Sequence, residues 1–246
     1  MIEAGDICGL TGGDFVEGKQ LLHERMEIGI LLALAGGFLD AYTYITCGGV
    51  FANAQTGNIV LMGINVAKGN FAKAGYYFIP VLAFFLGVML TEHFRERFGT
   101  ELHWEKRMVL LIETLLLFVI AWLPGWVPVM PINVTISFIC SLQVNSFRKV
   151  AGVPYASTMC TGNLRYIAEH FYRYAVGKDR SAGEKSLRYF LIVLSFCIGA
   201  GGGTFLISLW GRKAGFVCCG IFLAVLIRMY IGLAAERRKA VKSNTK

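Results

Sequence analysis

Six apolar runs divide this chain: 28–47, 74–91, 108–123, 131–147, 189–210 and 214–234. Each comes near the ~20 residues that carry a helix across a hydrocarbon core, and the shorter ones require some bilayer thinning. Hydrophobic residues make up 55% of the 246 and charged residues only 16%. A soluble domain averages roughly 45–50% apolar, glycine included, and about 25% charged. A single core in water could not hide so much apolar surface. The pattern excludes an ordinary soluble enzyme, a disordered chain and a secreted disulfide scaffold. It predicts an all-α integral membrane protein.

The basic residues test the number of spans. Laid on alternating sides of six spans, Lys and Arg fall 19 on one side and 4 on the other, with Arg228 inside the last run. The poor side holds Lys68, Lys73, Arg212 and Lys213, and the rich side holds both termini and the loop 148–188. Cytoplasmic loops carry such an excess, so both termini are expected in the cytoplasm of a cell with a plasma (inner) membrane. The formal charge of +8 then reflects topology and attraction to anionic lipids on the cytoplasmic side. It is not a nucleic-acid footprint.

No cofactor or metal motif accompanies the runs. Seven cysteines are scattered without a CxxC pair, and four histidines show no HExxH spacing. The cluster Gly199-Ala200-Gly201-Gly202-Gly203 lies mid-run with no Gly-Lys-Ser/Thr after it, which points to close helix packing and not to a phosphate loop. The first 27 residues have no basic segment leading into an apolar stretch, unlike a cleavable signal; residues 18–27 could form a short interfacial helix.

One segment resists the six-span count. Residues 51–67 are moderately apolar but open with Asn53, Gln55, Thr56 and Asn58. A seventh span would move every later loop to the other side and destroy the charge asymmetry. A re-entrant or half-membrane helix accommodates both facts, with Thr56 or Asn58 expected to cap its free N–H groups.

Thr56-Gly57-Asn58 recurs as Thr161-Gly162-Asn163, 105 residues later, and at that offset Asp40 falls on Asn145. The following runs match in order. Three spans per half is an odd number, so the halves are expected to be inverted, a recurrent transporter design with interrupted helices near the midplane. The expected divisions are a cytoplasmic tail over 1–27, a first repeat over 28–130, a second over 131–234, and a basic cytoplasmic tail over 235–246.

Gly37-Phe38-Leu39-Asp40-Ala41, Gly48-Gly49-Val50-Phe51 and Gln55-Thr56-Gly57-Asn58 carry a resemblance to the first motif of the YoaK family of bacterial multi-pass inner-membrane proteins. Leu142-Gln143-Val144-Asn145-Ser146-Phe147-Arg148 and Ala156-Ser157-Thr158-Met159-Cys160-Thr161-Gly162-Asn163 are similar to its second. Many members carry alanine where Ser146 stands. The resemblance implies a six-span plasma-membrane protein and supplies no activity, the family being one of unknown function.

Candidate chemistry rests on polar residues within the apolar runs. A mid-span carboxylate costs at least ~2.5–3.5 kcal/mol, so Asp40 needs a partner, a proton or a cavity. Tyr42 and Tyr44 follow it, and Gln143, Asn145 and Arg148 hold corresponding positions in the other half. Either Asp40 binds a cation or proton at a midplane site shared with Asn145, or the two pin the halves together. Glu113 either pairs with Arg228 or relays protons. The paired TGN elements could hold a polar or anionic solute at two helix N-termini, or their glycines could simply permit tight turns. Leu164 to Gly177, with Arg165, Glu169, His170 and Arg173, reads as a cytoplasmic amphipathic helix.

The candidate solute or ion site therefore comprises Asp40, Tyr44, Asn53, Gln55, Thr56, Asn58, Glu113, Gln143, Asn145, Thr161 and Asn163. No catalytic serine with a base and no paired intramembrane aspartates point to an enzyme. Expected partners are the bilayer and an unknown small solute or ion, with a homo-oligomer compatible with the pattern. A non-transporting scaffold, docking through its basic cytoplasmic loop, is the alternative.

Overall fold

The computed structural model describes residues 25–98, 103–150, 153–155 and 160–244. Its elements run α1 (Met26–Thr46), α2 (Gln55–Ala67), α3 (Phe71–Phe98), α4 (His103–Trp122), α5 (Val129–Ser146), β1 (Lys149–Val150), β2 (Val153–Pro154), α6 (Cys160–Gly177), α7 (Arg180–Trp210), a 3₁₀ turn (Gly211–Ala214) and α8 (Gly215–Asn244). Most of the expected interfacial helix over 18–27 and residues 156–159 of the second motif lie outside the described residues.

Four stretches are long and apolar enough to cross a membrane: Met26–Thr46, Phe71–Arg97, Val129–Ser146 and Arg180–Ala234. The last contains α7 and the first two thirds of α8, which turn about Gly211 (φ 55°). α4 stands outside that set because Glu105, Lys106, Arg107 and Glu113 all lie within it. The chain is all-α as expected, with one two-residue hairpin beside the helices. Lys149 and Val150 pair antiparallel with Pro154 and Val153, and Tyr155 Oη donates to the Gly29 carbonyl at 2.8 Å, holding this hairpin under α1.

Packing follows the glycines. α1 lies most extensively on α7 and α3 on α5, with α4 against α8. A Cβ at Gly37 would strike the Phe196 carbonyl, and one at Gly199 would strike that of Leu34. Gly87 of α3 makes the same kind of close approach, to Phe138 and Ser141 of α5. Lipid tails are as apolar as leucine, so in a bilayer such contacts hold helices together where a hydrophobic drive does not. Phe38, Leu39, Leu110, Ile136, Ile139 and Phe222 fill the centre. Phe85, Leu115, Phe118, Phe205 and Ile231 lie exposed on the outside, an apolar exterior suited to lipid.

Candidate functional site

The site is built where α1 gives way to α2. α1 ends at Thr46, and Gly48 and Gly49 take φ values of 80° and 76°, a left-handed conformation that glycine adopts without the Cβ clash other residues incur. The chain thereby turns back along α1, bringing residues 51–54 beside Asp40. Asp40 Oδ1 accepts the backbone N–H of Asn53 at 2.8 Å and of Ala54 at 3.4 Å. These groups sit at the start of α2, where helix N–H donors are unpaired and partial positive charge gathers. A carboxylate from a neighbouring helix meets that charge.

This corrects the expected cap. Ala54 stands at the N-cap of α2 and no side chain there caps it. Asn58, one turn inside, reaches backwards instead: its Oδ1 accepts the Phe51 N–H at 3.1 Å, and its Nδ2 donates to the Phe51 carbonyl at 2.6 Å and to Gln55 Oε1 at 2.8 Å. Asn58 thus closes the loop before the helix. α2 is inside-out: it buries Asn58 and Asn65 and exposes Ile59, Val60 and Ile64.

The two TGN elements line one cavity of about 680 Å³. Asp40, Tyr44, Asn53, Gln55 and Thr56 come to it from the first half, and Cys160, Thr161 and Gly162 from the second. Phe84, Phe196 and Thr204 complete its walls. Tyr44 stacks on Phe51 with ring centroids 4.8 Å apart. Asn58 and Asn163 are buried and do not line the cavity. The lining suits a small solute with both polar and flat apolar parts.

Three expected site residues lie elsewhere. Asn145 does not meet Asp40 across a midplane. Its Nδ2 donates to Glu92 Oε1 at 2.9 Å, its carbonyl accepts from Arg95 Nη2 at 2.8 Å, and Arg148 contacts both Glu92 and Asn145. Asn145 closes an ionic cluster between the ends of α3 and α5, because the last turn of α5 brings it beside the charged end of α3. Burial lowers the pKa of Arg148 from its ordinary value. Glu113 does not pair with Arg228, which reaches Glu27 at 2.9 Å from the exposed side of α8. Glu113 is fully buried on the face of α4 whose Leu110 and Leu117 pack with Cys140 and Cys218, with neither oxygen hydrogen-bonded among the described residues. Gln143 is also buried, its side chain without a hydrogen-bond partner among the described residues.

Sequence reasoning missed Asn133, Ser137 and Cys140. All three are buried on the inner face of α5, where Ser137 Oγ lies 3.5 Å from Gln55 Nε2. Their signal was present: together with Gln143 they repeat at helical spacing along one face.

Residues 28–228 match the family described as "Protein of unknown function (DUF1275)". The chain belongs to DUF1275. This member is similar to the UPF0700 transmembrane protein YoaK of Bacillus subtilis (strain 168), with 28% identity over 178 residues, covering 69% of this chain and 78% of the relative. No solved structure matches. The DUF1275 chain is a transmembrane protein of a family whose function is unknown.

Proposed function

We propose that this protein is a carrier for a small solute or ion, and not an enzyme. The observation that carries the reading is the cavity of about 680 Å³ lined by both TGN helix starts and Asp40. In this reading six helices, α1, α3, α4, α5, α7 and α8, span a bacterial inner membrane as two inverted repeats with both termini cytoplasmic. The exchange of partners supports the repeat, since α1 packs on α7 as α5 packs on α3, each through a close glycine approach. Two such units rocking about a central cavity would alternate its access. The basic side faces anionic lipid, and the unit is compatible with a homo-oligomer.

Asp40→Asn is a clean test, because Asn keeps an oxygen for the Asn53 and Ala54 N–H groups and removes only the charge. Purified protein is screened for unfolding-temperature shifts with amino acids, sugars and inorganic ions, and the responding solute is taken into proteoliposome uptake. Asp40→Asn is expected to fold normally and to lose ion-coupled uptake. Unchanged uptake sinks the coupling role. A protein that answers no solute, tolerates Asp40→Asn in cells and fails when Arg173, Lys178 and Arg180 are neutralised is a scaffold instead.

A further inference from the structure

The face that α5 turns into the protein carries a polar stripe. Asn133, Ser137, Cys140 and Gln143 recur at helical spacing and all are fully buried. At about 1.5 Å per residue the stripe runs roughly 15 Å, half of a ~30 Å hydrocarbon core. Buried polar groups are ordinarily paired. Here many are not. Asn133 Nδ2 donates to the Cys47 carbonyl at 2.9 Å, yet among the described residues its Oδ1 has no partner, and neither amide atom of Gln143 has one. Glu113 lies on the same face of α4 as Leu110 and Leu117, which pack in one cluster with Cys140, and the carboxyls of Asp40 and Glu113 both act electrostatically on that thiol. Asn53 Oδ1, Asp40 Oδ2 and both Glu113 oxygens are likewise without a hydrogen-bond partner among the described residues.

One leftover polar atom could be a packing fault. A succession along one helix face, meeting the cavity lining where Ser137 Oγ lies 3.5 Å from Gln55 Nε2, is the lining that a file of water molecules needs, each buried water taking about three hydrogen bonds. The amide donors of Gln143 and the thiol of Cys140 suit water better than a metal cation. Among the described residues no group of three or more His, Cys, Asp or Glu is placed to hold a metal ion. A carboxyl at such a depth carries a proton or requires one within reach.

We propose that the α5 stripe is a hydrated proton path, and that Glu113 is its proton-carrying group, linking the Gln143 end to Asp40 at the cavity. A proton from a hydrated neighbour adds to one carboxylate oxygen of Glu113 to give the neutral acid. Its return to water beside Cys140 restores the carboxylate, and Asp40 Oδ2 takes the proton up in the same way. The α4 face that carries Glu113 packs through Leu110 and Leu117 with Cys140 of α5 and Cys218 of α8, and Asp40 of α1 shares the electrostatic field at Cys140. Among the described residues no basic side chain hydrogen-bonds to Glu113. The proposal rests on the carrier reading only in naming the proton as the coupling ion.

Infrared difference spectroscopy on the full chain in lipid nanodiscs, stepped in pH and exchanged into D₂O, tests the site without a solute. The expected result is a protonated-carboxyl band that is lost in Glu113→Gln, follows bulk pH and shifts in D₂O. Gln143→Leu is expected to slow that shift about tenfold. A Glu113 band indifferent to pH and D₂O overturns the proposal, as does an exchange rate untouched by Gln143→Leu. If Glu113→Gln does not fold, the comparison of wild type with Gln143→Leu decides alone. A titrating band with no solute response upholds the path and fails the carrier; solute uptake with an inert Glu113 does the reverse.

Discussion

The two helices that begin with TGN start alike and finish in different surroundings. α2 has no charged residue, buries Asn58 and Asn65, and turns Ile59 (49% exposed) and Val60 (54%) outward. α6 buries Asn163 and mixes Arg165, Glu169 and Arg173 with Phe171 and Tyr172 on its exposed surface. The tripeptide therefore falls in the first turn of both helices, and the residues that follow give the two their different surroundings. An apolar outer face over a polar inner one suits a half-helix held in lipid, whereas a face of charges and aromatics suits the interface. The hairpin under α1 adds to the contrast, for the approach to α6 is tied by Tyr189 Oη to the Pro154 carbonyl at 2.9 Å, and the approach to α2 is tied by a carboxylate.

The largest test of this contrast places a lysine on each outer face. Val60→Lys in α2 is expected to cost about 2.5–3.5 kcal/mol if that face meets hydrocarbon, and Leu164→Lys in α6 within about 0.5 kcal/mol. Denaturant unfolding in nanodiscs measures both, and equal costs would break the comparison. A smaller effect comes from the loop before α2. Asn58→Ala removes three hydrogen bonds and is expected to cost about 2 kcal/mol, read in the same unfolding curves and as faster hydrogen exchange at the Phe51 amide. Little change in either would mean that Asp40 alone holds the loop.

The smallest effect concerns α6. His170 stacks near Tyr166 and Tyr189, at 6.4 and 6.0 Å between ring centroids. Desolvation first, then the cations Lys185 and Arg173, lower its pKa from the ordinary 6.5. Between the lowered value and 6.5 the unfolded chain binds more protons than the folded one, so stability falls as pH drops through that window and is unaffected above it. His170→Phe is expected to flatten this acid-side loss, whereas α2, which has no titratable residue, contributes none of its own. Exchange of α6 amides followed against pH checks it.

Much of the architecture is legible residue by residue. The runs, the sorting of Lys and Arg and the repeated TGN are local patterns, and local patterns survive whatever neighbours the chain finds. The candidate site was legible only in part. Asp40, Tyr44, Asn53, Gln55, Thr56 and Thr161 do meet at one cavity. Asn145 was assigned there by an offset of 105 residues, but matching position in a repeat does not give matching contacts when one loop ends on a carboxylate and the other on a hairpin.

The amino-acid sequence by itself determined that this chain belongs in a membrane, which segments form its long apolar helices, and which few acids lie within them, because apolar length and charge density are properties of the chain alone. The tertiary structure decided what those acids do. Arg228 faces Glu27 and not Glu113, Asp40 meets the backbone of α2, and the polar side chains of α5 align on one inner face. Each outcome depends on how a helix is rotated about its axis and which neighbour it meets, and that rotation is set by close approaches such as Gly37 on Phe196 and Gly199 on Leu34, which join residues far apart in sequence.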